Sequence, residues 1–275
     1  MYIQTVVFSE PKAGSAPEEW EDGALAGVSF SPARPGQAPS QVRYVVADGA
    51  TGGYASRQWV NQLVTCFAPP DNPALGPKLE RASMHSWLEW MQDLWAENPP
   101  VTLDVIDKLR FEQVGSFATF LGFELSGLDG PDPWWQAVAL GDSVLFHVRA
   151  GRLLAVFPPL GPDDFNSDPD GVHSKPSRLN WMSDHLLLGH GVLVPGDLLF
   201  AATDAMAHWI TRAVIRDAAK TWTTLSEMVH PAIFTRFVQD HRRADSDAEA
   251  MKNDDVTLMR LRILAGQPSY LLVCL

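Results

Sequence analysis

The sequence predicts an α+β protein: two mainly antiparallel β-sheets packed together, with helices on the outside. Three observations predict it. β-Prone runs occur at both ends and in the middle of the chain. Helical periodicities are grouped near the front and near the back. From Ser116 onward, strand signals follow one another with only turn residues between them. No linker divides the 275 residues, so one domain spanning 1–275 is expected.

Residues 2–8 (YIQTVVF) and 24–30 are the first strand candidates, separated by the acidic loop PKAGSAPEEWEDG. The proline-rich stretch 31–41 reads as a hairpin-like excursion. Tyr44–Ala47 is a short apolar run, read as a buried strand that breaks at Asp48-Gly49. Ser56–Phe67 places Trp59, Val60, Leu63, Val64 and Phe67 at helical spacing. After a Pro-rich break, residues 78–98 form a second helix with Ser83, Trp87, Trp90, Met91, Leu94 and Trp95 on one apolar face, and a short helix from about 103 to 111 follows. FATFLGFEL, WWQAVALG, VLFHVRAG and RLLAVFPP read as an antiparallel meander, and residues 161–180 as a long surface loop suited to substrate contacts. Residues 198–203 are a buried strand ending at Asp204. Helices are expected at 205–217, 220–228 and 231–243, then strands at 256–263 and at SYLLVCL.

A formal charge of −12, from 21 basic and 33 acidic residues, argues against nucleic acid as a partner, because phosphate-backbone binders carry the opposite balance. The two cysteines, Cys66 and Cys274, give neither a disulfide framework nor a thiolate zinc site and favour a reducing compartment. The N-terminus MYIQTVVFSE lacks a basic region before its apolar segment, and no uncharged apolar run reaches membrane-spanning length. No signal peptide and no membrane association are expected, and the location expected is the cytoplasm.

Four acidic loops lie at strand ends: Glu21-Asp22, Asp48-Gly49, Asp204 and Asp254-Asp255. Sheets packed face to face would bring them to one edge. Carboxylates gathered there repel one another unless they are protonated or bound to cations. Oxygen ligands without cysteine or a histidine pair suit magnesium, manganese or calcium better than zinc. Taken one at a time, each loop is better read as a turn rich in Asp.

VVADGATGG, ALGDSVLF, LLFAATDAM and NDDVTL, in that order, resemble the metal-dependent serine/threonine protein phosphatases of type 2C, in their bacterial form. EEWEDGA resembles that family's first acidic box and GSFATFLGFEL its central strand, so the similarity runs from about residue 14 to 263. The resemblance implies a four-layer αββα sandwich and hydrolysis of phosphoserine or phosphothreonine by a water activated at a dinuclear Mn2+ or Mg2+ centre, with two or more ions. It implies that Asp48 bridges the ions with the Gly49 carbonyl on the second, that Asp204 and Asp254 complete the first ion's ligands, and that Glu21 and Asp22 hold metal-bound waters or an additional ion. Asp48, Asp204 and Asp254 are thereby the implied catalytic set. A phosphorylated protein, within a Ser/Thr kinase system, is the implied partner, and the protein is expected to be a monomer. The chain departs from the family pattern at Ala50 and Ala205, and upstream of Glu21 it carries only Lys12 where the family has a phosphate-binding arginine.

Two alternatives stand beside this. A catalytically weak or inactive pseudophosphatase would bind a phosphoprotein without turning it over. Gly141-Asp142-Ser143 also matches the nucleophile block of a serine-esterase family. It lies mid-chain between strands, however, and Asp204 and His208 have the wrong spacing for that family's closing pair, so it reads as a structural turn. His185 and His190 are offset by five residues, poor spacing for a metal pair, and His85 and His147 have no evident metal partners.

Overall fold

The computed structural model describes residues 1–16, 19–28, 41–50, 52–69, 76–100, 105–165, 169–246, 249–266 and 270–274. In chain order the elements are β1 (Tyr2–Glu10), β2 (Asp22–Val28), β3 (Gln41–Gly49), α1 (Ser56–Phe67), α2 (Arg81–Glu97), α3 (Val105–Gln113), β4 (Phe117–Ser126), β5 (Trp134–Leu140), β6 (Val144–Arg149) and β7 (Arg152–Phe157). They continue with β8 (Val172–His173), α4 (Leu179–His185), β9 (Leu187–Val192), β10 (Leu198–Ala202), α5 (Asp204–Glu227), α6 (Pro231–Arg242), β11 (Val256–Leu264) and β12 (Tyr270–Cys274).

Two sheets form. One has the order β12-β1-β11-β10-β6-β7, and the other β2-β3-β4-β5-β9 with β8 added beside β4. All pairings are antiparallel except β1 with β12. Because side chains alternate along a strand, β3 sends Tyr44 and Val46 to one face and Val45 and Ala47 to the other, and all four are buried. That double burial is why the strand reads as a continuous apolar run.

Three apolar layers result. Tyr44, Val46, Leu121 and Phe123 meet Leu199, Ala201, Met259 and Leu261 between the sheets. Val45, Ala47, Phe120 and Val138 pack under Trp59, Leu63 and Phe67 of α1 and Trp87 and Met91 of α2. Phe8, Phe146, Phe200 and Leu258 pack under Met206, Ile210 and Trp222 of α5 and Phe234 and Val238 of α6. The layer order is therefore α, β, β, α, as the sequence predicts.

Several expectations are corrected. β3 does not break at Asp48-Gly49: both residues stay in the ladder, with Asp48 opposite Thr119 and Gly49 opposite Ala118. The four strands from Phe117 are not one meander. β4 and β5 pair in one sheet, β6 and β7 in the other, and the chain crosses between sheets at Gly141-Asp142-Ser143. Residues 161–180 contain β8 and single helical turns at 162–164 and 176–178. The stretch Leu187–Val192 is a strand, β9, at the sheet edge. The expected break between the first two rear helices, by contrast, is present: within α5 the backbone leaves the helical region at Asp217, with φ of −157° and ψ of 89°. On α2 the buried face is Met84, Trp87, Leu88, Met91, Gln92 and Trp95, whereas Trp90 is 49% exposed. Most of the predicted 31–41 excursion lies outside the described residues. Among those residues, no helix is long and apolar enough to cross a membrane.

Candidate functional site

At one end of the sandwich the inward-facing positions change from apolar to polar. The period of two fixes which residues these are. On the second sheet Asp48 follows Val46 on the inner face and pairs in register with Asp22 on one side and Thr119 on the other. On the first sheet Ser143, Thr203 and Thr257 follow Leu145, Ala201 and Met259. Hydroxyls then join the sheets: Thr203 Oγ1 donates to Asp22 Oδ2 at 2.9 Å, and Thr119 and Ser143 share a hydrogen bond of 2.8 Å. The backbone N–H of Thr257 in turn donates to Thr203 Oγ1 at 3.0 Å.

Above this layer lies a pocket of about 200 Å³ whose wall carries Asp48, Gly49, Asp142, Asp204, Lys252 and Asp254. Four of the sequence-predicted residues are thus brought together: Asp48, Gly49, Asp204 and Asp254. Asp22 lies beneath them, 3% exposed, and Glu21 does not line the pocket. The Glu21 backbone instead ties down the loop, its N–H donating to Asp255 Oδ2 at 2.8 Å and its carbonyl accepting from Gly49 N–H. A Cβ at position 49 would stand 3.0 Å from both the Glu21 carbonyl oxygen and Ser56 Cβ, so Gly lets that loop close over the strand.

Asp142 and Lys252 complete the wall, and sequence reasoning assigned neither to the site. Asp142 reaches it because the turn containing it is the crossover between sheets. Gly141 makes that turn with φ of +110°, and a Cβ there would come within 2.4 Å of the Asp170 carbonyl oxygen. The match to GDS was visible, but the turn could be placed at the site only by knowing that β5 and β6 part company. Lys252, in a charged loop, carries no motif at all.

The electrostatics are those of crowded acids. Burial, then the charges of Asp22, Asp204, Asp142 and Asp254, push the Asp48 carboxyl well above its ordinary value. Asp48 keeps partial solvent exposure, so the crowding matters alongside the burial. Burial chiefly, with Asp255 and Asp204 adding, raises Asp22 to about 8 against the pull of the Thr257 and Thr203 hydroxyls. Thr257 lies alongside without a bond of good geometry, and Asp22 Oδ1 has no hydrogen-bond partner. Burial and Asp204 raise Asp142 to about 7, and neither of its carboxylate oxygens has a hydrogen-bond partner. Lys252 answers part of this charge. Its Nζ lies 2.8 Å from Asp204 Oδ2 and 2.9 Å from Asp254 Oδ2. Burial disfavours its ammonium, but these two carboxylates more than offset that and raise its pKa. Lys12 Nζ stands further out, 3.9 Å from Asp254 Oδ1.

Buried, unpartnered carboxylate oxygens beside a water-accessible pocket form a donor set for hard divalent cations. Among the described residues no three Asp, Glu, His or Cys side chains close a metal site by themselves. An ion would therefore also draw on the Gly49 carbonyl or on water. The donor chemistry fits Mg2+ or Mn2+; the histidines take no part. His147 Nε2 bonds Asp197 Oδ2 at 2.9 Å, His85 bonds Ser183, and His185 bonds the Trp181 carbonyl. Ser143 is 1% exposed and held by Thr119, so it is not an exposed nucleophile.

No protein-family profile matches the sequence, and no curated protein sequence matches it. Solved structures do. The chain is similar to the S. agalactiae serine/threonine phosphatase, with a TM-score of 0.59 at 15% identity over 95% of this chain and 100% of that one. It is similar to the Mycobacterium tuberculosis serine/threonine phosphatase PstP/Ppp, with a TM-score of 0.55 at 15% identity over 96% and 99% of the two chains. It is similar, too, to the catalytic domain of the serine threonine protein phosphatase PstP in complex with two manganese ions, with a TM-score of 0.56 at 15% identity and the same coverage. The chain shares the fold of these phosphatases, two mainly antiparallel sheets flanked by helices.

Proposed function

We propose that this protein is a metal-dependent phosphoserine/phosphothreonine protein phosphatase that uses two or more Mn2+ or Mg2+ ions. The observation that carries the reading is the gathering of Asp48, Asp142, Asp204 and Asp254 around one pocket at the end of the sandwich. The phosphatase fold, and the two manganese ions in one protein that shares it, support the choice of chemistry. Asp48, the Gly49 carbonyl, Asp204 and Asp254 would hold the ions, with Asp22 and Glu21 behind them. Bound there, the ions supply a Lewis acid for the phosphoryl oxygens and lower the pKa of a bound water.

The chain's own residues do the rest. The Thr203–Asp22 and Thr119–Ser143 bonds hold the two sheet edges at a fixed distance, so the carboxylates stay oriented. Asp255 fixes the loop before β2 through the N–H groups of Lys12 and Glu21. Lys12 stands at the rim as a cation available to a phosphate dianion. The partner in this reading is a phosphorylated protein of a Ser/Thr kinase system. The sparse cysteines, with Cys66 free, fit a reducing compartment, and we assign the protein to the cytoplasm as one domain over 1–275.

A second reading, the pseudophosphatase, is favoured by one observation: the Lys252 ammonium already satisfies Asp204 and Asp254. The test separates them. Hydrolysis of an aryl phosphate and of a phosphothreonine peptide is measured with Mn2+, Mg2+ or EDTA, for wild type and Asp48→Asn. Phosphatase activity that disappears in EDTA and in the variant is expected. Activity that survives both sinks the metal-centre reading, and manganese binding without turnover selects the pseudophosphatase.

A further inference from the structure

Lys252 stands where two carboxylates that the proposed centre needs for one ion come together. Its Nζ contacts Oδ2 of each, at 2.8 and 2.9 Å, a chelate made by a single ammonium. The backbone on either side of it is fixed. Met251 N–H donates to the His241 carbonyl at 3.0 Å, Arg212 donates to the Ala250 carbonyl, and Asn253 exchanges hydrogen bonds with Ala13 at 2.9 and 3.2 Å. A tethered cation is thus held at high local concentration beside its carboxylates. The side chain itself is 49% exposed, so it can swing into solvent without disturbing the fold.

We propose that Lys252 is a built-in counter-ion that competes with the metal for the Asp204–Asp254 pair, so that an ion enters only by displacing the ammonium. The proposal rests on the metal-centre reading above and concerns how that centre is loaded. Two consequences follow. In the metal-free protein the Asp204–Asp254 pair is already neutralised in part by the ammonium, whereas neither oxygen of Asp142 has a hydrogen-bond partner. The affinity of the pair for a divalent cation is also lower than that of the same carboxylates without the lysine, because binding must first break two charge-assisted contacts.

The experiment uses the full chain stripped of metal with EDTA, as wild type, Lys252→Gln and Lys252→Arg. Manganese binding is followed by the electron paramagnetic resonance of the free ion, and thermal unfolding is recorded with and without manganese. Expected for K252Q are at least ten-fold tighter manganese binding and a lower melting temperature than wild type in EDTA, with the difference reversed by saturating manganese. K252R, which keeps the cation, is expected to stay near wild type. If K252Q folds only when manganese is supplied, that dependence supports the proposal, provided that K252Q combined with Asp204→Asn folds without it. Equal manganese affinity for wild type and K252Q, or equal stability in EDTA, overturns the counter-ion role while leaving the metal centre standing. Binding by none of the three proteins overturns the metal centre and the counter-ion role together.

Discussion

Thr203 Oγ1 donates to Asp22 Oδ2 across 2.9 Å, joining residues 181 positions apart and strands that belong to different sheets. The bond is buried, and the acceptor sits in register with Asp48, directly behind the pocket. Thr203→Val keeps the shape and removes the donor, leaving both oxygens of a buried carboxyl unpartnered. The expected cost is about 1–3 kcal/mol, read from the urea midpoint at unchanged slope. In an Asp22→Asn background that cost should shrink by about 0.5 kcal/mol or more, the coupling expected of direct partners. Strict additivity would show that the two do not act together.

The raised carboxyls set a sign for the pH dependence of the metal-free protein. Asp22 titrates at about 8 and Asp142 at about 7 in the fold, against 3.8 for each when unfolded. Between those values the folded state holds protons that the unfolded state has released. Stability is therefore fully present near the unfolded pKa and is lost as pH climbs through the folded ones. In EDTA, the melting temperature should fall from about pH 5 to about pH 8.5, and Asp22→Asn or Asp142→Asn should flatten the curve. A wild-type curve that rises over this range contradicts the assignment.

Asp142 and Ser143 are neighbours with opposite expected consequences. Asp142→Asn relieves charge in a crowded site, so the metal-free protein should gain stability while manganese binding weakens. Ser143→Ala removes only the bond to Thr119, a cost of about 1 kcal/mol, and phosphatase activity should persist in the folded protein. Loss of turnover in S143A without loss of structure would point instead to a serine nucleophile.

Away from the pocket, Asp197 is 0% exposed and holds three donors: Arg149 at 2.7 and 2.9 Å, His147 at 2.9 Å and Val194 N–H at 2.9 Å. Trp135 Nε1 donates to His147 Nδ1 at 3.2 Å, so the His147 proton lies on Nε2 and points at Asp197. Trp135 belongs to one sheet and His147 to the other, which makes this network a second clamp between them. Burial would raise the Asp197 carboxyl, yet Arg149, Val194 N–H and His147 hold it below its ordinary value. Asp197→Ala should cost about 3 kcal/mol in thermal or urea unfolding, because it strands a buried imidazole and a guanidinium.

Much of this was legible in the sequence, for physical reasons that also mark where legibility stops. Ser56–Phe67 and Tyr44–Ala47 carry periods of 3.6 and of a doubly buried strand, and both elements are where the pattern puts them. Asp48, Asp204 and Asp254 stand out only as a set, because singly an acid at a strand end is an ordinary turn former. Asp142 did not, because its role depends on β5 and β6 lying in different sheets, and hydrophobic alternation is the same whichever sheet a strand joins. β9 escaped notice because, as an edge strand with Gly189 and Gly191, it buries too little to show a period. Trp90 was misplaced by counting aromatics on a helix face, whereas its ring lies on the exposed side.

The order of strands in the first sheet has a bearing on how the protein is made. β1 lies between β11 and β12, so it leaves the ribosome before the other strands of its sheet and has no partner in that sheet until residues 256–264 are synthesised. The second sheet, by contrast, is complete once residue 192 has emerged. Ile3, Val6 and Phe8 therefore stay unpaired while about 250 further residues are added, and Asp254 joins the pocket only with the last of them. Chains arrested before residue 250 should be cut by protease within β1 while β3 and β4 resist.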